Sequence, residues 1–258
     1  MIHREKDGLF YYQFTHLAAC AGIGHGIFTR HGGSSPPPFN SLNVGCGIGD
    51  DNRRVAANRQ IVGRCFGGAE LVYARQMHGR QVITVADYPG GLPEPPHPAA
   101  PIVGDAMVTD QTQKFLVIQV ADCQSVLLYE PLSQVVANVH CGWRGSIQNI
   151  IGRTVETMAQ QCDCNPANII AGIGPSLGPC CAEFINYKAE IPPAFWHYKD
   201  SNHHLDFWSI SRDQLTKAGV APENIETSRI CTRCRADEFF SYRTEKITGR
   251  FAAVIGLK

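Results

Sequence analysis

Apolar residues in this chain come in short, dense runs set off by polar turns. "FLVIQVADC" (115–123), "SVLLYE" (125–130) and "QVVANVHC" (134–141) are rich in β-branched and aliphatic residues. They are separated by polar positions or by the turn-prone Pro131 to Ser133, which predicts consecutive strands of a sheet core. "ELVYARQMHGRQVITVAD" reads as two strands flanking Met77-His78-Gly79, "NIIAGIGP" as a strand stopped by Gly174-Pro175, and "GRFAAVIGL" as a final strand.

Helical spacing alternates with these runs. Val55, Asn58/Arg59, Val62 and Cys65/Phe66 recur at helical intervals after a capping cluster, Asp50 to Asn52. Ile147, Ile150/Ile151, Val155 and Met158 predict an amphipathic helix from about Ser146 to Gln161, and "DFWSISRDQLTKAGV" predicts another. "HGIFTRHGGSSPPPFNSLNVGCGIGDD" passes from a strand into a long ordered loop. "YPGGLPEPPHPAAPIVG" reads as an exposed loop with a solvated His97. There is no repeat of solenoid type. The pattern as a whole predicts a mixed α/β protein.

At 258 residues the chain can bury a sizeable core, and no composition shift marks a domain boundary, so one domain over 1–258 is expected. With 23 basic and 23 acidic residues, no overall field argues for nucleic acid or an anionic membrane. A small ligand fits better. "MIHREKDGLFYYQF" lacks an apolar signal-type core and no stretch reaches membrane-span length, so a soluble, cytoplasmic protein is expected. Eleven cysteines are an odd number, which excludes full disulfide pairing and favours reduced thiols. Cys231-Thr232-Arg233-Cys234 is a C-x-x-C, and Cys162, Cys164, Cys180 and Cys181 lie close in sequence. One C-x-x-C is weaker than a pair, and packing is favoured over structural zinc or a redox disulfide.

Three segments end on potential metal ligands: His78, Cys123 and His140. Two imidazoles and a thiolate suit zinc, and three protein ligands leave a fourth position for water or substrate. Taken singly, each reads equally as a core or turn residue. Arg144 near a helix start suits a phosphate or carboxylate, or a surface position covering Trp143.

"FTRHGGSS", "SLNVG", "GDD" with "VAANR", "QMHG", "DAMVTD", "ADCQSVLLYEP", "HCGWRG", "GIGPSLGPCC" and "CT...ADEFFSYR...TGR" occur in the order found in the YfiH-like laccase-domain family. The resemblance runs from about Phe28 to Leu257. It implies a single-domain, layered, largely antiparallel α/β fold with flanking helices, and zinc held by His78, Cys123 and His140. It also implies phosphorolysis of purine nucleosides, with adenosine deamination beside it. Arg30, Asn43, Arg59, Gln76 and Arg144 lie in the matching motifs as substrate- or phosphate-binding candidates. Asp122 and Asp105 are the candidate proton-transfer carboxylates, and Asp122 serves alternatively to orient a ligand. The chain differs from many relatives at Gln124 and at Cys181-Ala182, and the second of these differences bears on the pocket wall and substrate preference.

Some members of the family are called peptidoglycan editing factors, so binding of peptidoglycan precursors is one alternative, and a partner-binding module with purely structural zinc is another. The laccase label implies copper, but ten histidines without one H-x-H pair make copper oxidation the weaker reading. A monomer and a dimer are both compatible with the sequence.

Overall fold

Apolar runs without polar alternation need cover on both faces, and the fold supplies it. In the computed structural model, which describes residues 1–85 and 103–258, two six-stranded sheets stack face to face. The first contains β1 (Ile2–Lys6), β2 (Leu9–Gln13), β3 (Ile23–Phe28), β4 (Glu70–Tyr73), β7 (Lys114–Val120) and β12 (Phe251–Leu257), ordered β1-β2-β3-β12-β7-β4. The second contains β5 (Val82–Thr84), β6 (Ala106–Thr109), β8 (Gln124–Glu130), β9 (Val135–Cys141), β10 (Ile170–Ile173) and β11 (Ile225–Thr227), ordered β11-β10-β8-β9-β6-β5. Among the named strands of the described residues, β4/β7, β5/β6 and β10/β11 pair in parallel and the rest antiparallel. The expected mixed, largely antiparallel α/β architecture is thus present, divided into two sheets.

Alternation along the central strands builds the layers. Leu116, Ile118 and Val120 of β7 meet Leu127 and Tyr129 of β8 and Val136 of β9 between the sheets. Their neighbours Phe115 and Val117 point the other way, onto Val62 of α2 (Asn52–Arg64). On the far side Val126 and Leu128 pack with Ile151, Val155 and Met158 of α4 (Ile150–Gln161) and Leu215 of α6 (Phe207–Lys217). Each such side chain contributes about 1.5–3 kcal/mol through removal from water. Fully buried Asn138 on β9 crosses between the sheets, donating to the carbonyls of Leu116 (2.9 Å) and Ala253 (2.8 Å).

Asp51 caps α2, accepting the Arg53 N–H at 2.8 Å, within the expected capping cluster. The single helix expected over 146–161 is instead two, α3 (Trp143–Ile147) and α4. Asn149 is left-handed (φ 55°, ψ 48°) and accepts the Gly152 N–H, so the chain turns and restarts. Asparagine tolerates that conformation and also caps well, so side-chain periodicity alone carries straight through the break. The hairpin β1/β2 turns at Asp7-Gly8, both at positive φ, a conformation that the Asp-Gly pair favours. Short helices α1 (Thr15–Ala18), α5 (Tyr187–Glu190) and α7 (Tyr242–Glu245) lie in the connections. The proline-rich loop, His97 included, falls almost entirely outside the described residues. No described helix is long and apolar enough to cross a membrane.

Candidate metal centre and substrate cleft

Three strand ends converge at one edge of the stacked sheets. His78 occupies the turn between β4 and β5, Cys123 the turn between β7 and β8, and His140 the penultimate position of β9. Their ligand atoms lie within 4.8 Å of one another. Asp122 and Cys123 would fall on opposite faces if one strand ran through both. None does, because β7 ends at Val120 and β8 starts at Gln124, with Asp122 at φ 82° between them.

Buried Asp105, just before β6, organises this edge. Its carboxylate accepts the backbone N–H groups of Met77 (3.1 Å), His78 (2.8 Å) and Gly79 (2.8 Å), which shapes the turn that carries His78. It also bonds His140 Nδ1 at 2.8 Å, which leaves Nε2 available to a metal ion. Burial pushes the Asp105 carboxyl up, but the bonds from His140 and the Gly79 N–H outweigh it and hold it below its ordinary value.

The residues present fit a metal ion. Cys123 Sγ and His78 Nε2 are 3.8 Å apart, against about 3.6 Å for sulfur and nitrogen sharing a tetrahedral zinc with bonds of about 2.3 and 2.05 Å. Gly142 makes room, since a Cβ there would lie 2.9 Å from His78 Cδ2 and 3.3 Å from Cys123 Sγ. Burial alone would keep Cys123 neutral, but the charge of His140 and bonds from both histidines bring its thiol down to about 6. Burial likewise opposes charge on His140, yet Cys123 and Asp105 raise it to about 9. A Cys123 thiolate is therefore available to a cation at neutral pH. Adjacent Cys141 differs: burial pushes its thiol to about 12, and it bonds Ser146 as a neutral packing group.

The centre opens into a cleft of about 1110 Å³. Of the candidates, Arg59, Gln76, Arg144 and Asp122 line it; Asp105, Arg30 and Asn43 do not. Arg30 is committed elsewhere, donating to the carbonyls of Asn40 (2.9 Å) and Ala236 (2.7 Å), pairing with Glu245 (2.9 Å) and lying over Phe240. Fully buried Asn43 holds the Gly45 N–H and the Arg250 N–H through Oδ1. Gln76 clips the strand before His78 to β7, exchanging bonds of 2.9 Å with the backbone of Gln119. Arg59 donates to the Val44 carbonyl and stacks on Tyr73; exposed Arg144 stacks on Trp143 at 4.2 Å, so it covers Trp143 and also faces the cleft.

Arg75, Arg243 and Arg250 complete the lining and were not singled out in the sequence. The last two are the arginines of "SYR" and "TGR", motifs that carry the family resemblance, and that was the available signal. Five guanidiniums therefore face a cleft with one carboxylate, Asp122, whose oxygens accept the Thr232 hydroxyl (2.7 Å) and the Arg243 N–H (2.6 Å). Trp143, Phe184, Phe207 and Tyr242 add aromatic wall. Such a cleft suits an anion beside a flat, apolar group.

Among known proteins, residues 24–258 match the family described as "Multi-copper polyphenol oxidoreductase laccase". The chain is 33% identical over 251 residues to "Purine nucleoside phosphorylase YlmD" of Geobacillus stearothermophilus, covering 92% of this chain and 90% of that protein. It is 32% identical over 253 residues to "Purine nucleoside phosphorylase YfiH" of Escherichia coli K12, covering 93% and 94%. The crystal structure of Bacillus licheniformis hypothetical protein YfiH superposes with a TM-score of 0.88 at 28% identity, over 99% of both chains.

Proposed function

The chain belongs to the family described as multi-copper polyphenol oxidoreductase laccase, and from that premise we propose that it is a zinc-dependent purine nucleoside phosphorylase acting on adenosine, inosine or methylthioadenosine. The observation that carries this reading is an open two-histidine, one-cysteine site facing a cleft lined by five arginines and a single carboxylate. The names of the relatives support the same activity.

In phosphorolysis, phosphate attacks C1′ of the nucleoside while the purine leaves. The protein must hold the anion, steady an oxocarbenium-like sugar and neutralise charge growing on the base. The guanidiniums of Arg59, Arg144, Arg243 and Arg250 supply fixed positive charge for phosphate, and Trp143, Phe184 and Phe207 supply apolar surface for the purine. Asp122, steadied by Thr232 and the Arg243 backbone, is the carboxylate placed to accept a sugar hydroxyl or hold a proton. Asp105 acts through His140 and the 77–79 turn, with its oxygens already engaged. His78, Cys123 and His140 would hold the zinc, whose chemistry there would be that of a Lewis acid.

The fourth coordination position left by three ligands also favours adenosine deamination as a second activity, with Asp122 as the proton-transfer group. A two-histidine, one-cysteine set also accepts copper. Laccase chemistry, however, needs further histidine-rich copper sites, and among the described residues only one cluster of ligand-type side chains contains histidine. The eleven unpaired cysteines support a cytoplasmic setting for the enzyme.

The test is incubation of purified protein with the three nucleosides, with and without phosphate, followed by chromatography. Free base formed only with phosphate is the expected result, and inosine formed from adenosine reports deamination. No base released from any of the three would overturn the proposal.

A further inference from the structure

We propose that Cys180, Cys181, Cys231 and Cys234 hold a second zinc ion, in a closed four-sulfur site that staples together two walls of the cleft. The first pair lies in the loop after β10 and the second in the loop after β11, so the four are far apart in sequence. Their sulfurs nonetheless lie within 4.8 Å of one another, and Cys234 Sγ is 3.6 Å from both Cys180 Sγ and Cys181 Sγ. Four thiolates on a tetrahedral zinc with bonds of about 2.3 Å are about 3.8 Å apart, which this arrangement matches. A disulfide brings two sulfurs to about 2.05 Å. Cys234, equidistant from two candidates, cannot pair with both.

The surroundings favour thiolates at a cation. The Gly178 N–H donates to Cys231 Sγ at 3.3 Å, a bond that stabilises sulfur carrying negative charge. Burial and the neighbouring sulfurs push the thiols of Cys180 and Cys181 up, the latter to about 11. Burial acts the same way on Cys231, but the N–H groups of Cys234 and Gly178 outweigh it and hold Cys231 below its ordinary value. A divalent cation placed among the four sulfurs would stabilise them as thiolates. Cys180 and Cys234 are exposed, so the site can be loaded from solvent.

Four protein sulfurs fill the coordination shell, which makes this a structural ion, distinct from the open centre at His78. It would reinforce the bonds Ser176 N–H to Ile230 (3.2 Å) and Thr232 N–H to Ser176 (3.0 Å). Through the Thr232 hydroxyl it reaches Asp122, beside the ligand Cys123. The ion would thus fix a cleft wall without contacting substrate.

The test is metal analysis of protein purified without chelator. About two zinc ions per chain are expected for wild type, and about one each for Cys234→Ser and His78→Ala. Cobalt-loaded His78→Ala protein should show the intense thiolate charge-transfer and tetrahedral visible bands of a four-sulfur site, and this spectrum decides the matter even if Cys234→Ser does not fold. Zinc content unchanged by Cys234→Ser, a cobalt spectrum without those bands, or disulfides among the four in untreated protein would overturn the proposal. None of these readouts depends on nucleoside turnover, so failure here and failure of the phosphorylase reading are separable.

Discussion

Asp105 and His140 share a 2.8 Å bond between Oδ1 and Nδ1, and the same carboxylate oxygen accepts the backbone N–H of His78. One buried side chain thus sets the orientation of two proposed metal ligands from different turns. Asp105→Asn places an amide NH₂ against backbone N–H donors and loosens both. Zinc affinity is expected to fall about 10–100-fold, the usual effect of losing such an orienting partner. Chelator competition measures it, with circular dichroism to confirm folding; unchanged affinity would show that Asp105 does not position the ligands.

Gly142 has φ −72° and ψ 166°, a conformation open to alanine, so Gly142→Ala adds only a methyl group among the ligands. That methyl would lie 2.9 Å from His78 Cδ2. Overpacking of this kind costs about 1–3 kcal/mol, or roughly a tenfold to hundredfold weaker Kd for zinc. Wild-type metal affinity in Gly142→Ala would mean that the ligands do not converge around this position.

Arg144 and Arg30 are expected to behave oppositely. Arg144 is exposed at the cleft, and Arg144→Ala should raise KM for phosphate about tenfold or more, as loss of a charged hydrogen bond does, with stability changed by about 0.5 kcal/mol or less. Arg30→Met leaves Glu245 and two carbonyls without their partner, so it should destabilise by about 3 kcal/mol while KM for phosphate stays unchanged. Steady-state kinetics and urea unfolding on both variants separate the roles. A phosphate KM raised by Arg30→Met and not by Arg144→Ala would reverse the assignment.

His25 is buried on β3, and its Nε2 accepts the Phe14 N–H at 2.9 Å. Burial lowers its pKa from the ordinary 6.5 to about 4. Between these values the unfolded chain takes up a proton that the folded protein refuses. The contribution to stability is therefore fully present above pH 6.5 and lost as pH falls towards 4, in total about 3 kcal/mol. In metal-free protein, the unfolding free energy of wild type should fall towards that of His25→Gln over this window. A gap between the two that is independent of pH would rule this out.

Much of the architecture is legible along the chain. The runs "FLVIQVADC" (115–123) and "SVLLYE" (125–130) predict strands of the sheet core, because a strand covered on both faces has little polar side to show, and β7 and β8 lie there. The helix restart at Asn149 was not legible, because a left-handed residue leaves the apolar spacing on either side intact. The hairpin at Asp7-Gly8 carried a usable turn signal in the sequence.

The sequence by itself determined which residue types are available: two histidines, five cysteines and a set of arginines at strand ends and turns, in motifs that resemble one family. Residues tens of positions apart carry no mark of being neighbours, since spacing encodes contact only within one helix or strand. Tertiary structure decided the rest. It brought the donor atoms of His78, Cys123 and His140 together and gathered four cysteine sulfurs at a second point. It turned Arg59, Arg144, Arg243 and Arg250 towards the cleft and fixed Arg30 and Asn43 within the protein. The reason is that side-chain direction follows from how two sheets stack and where their edge loops cross, and that is settled by packing of the whole core.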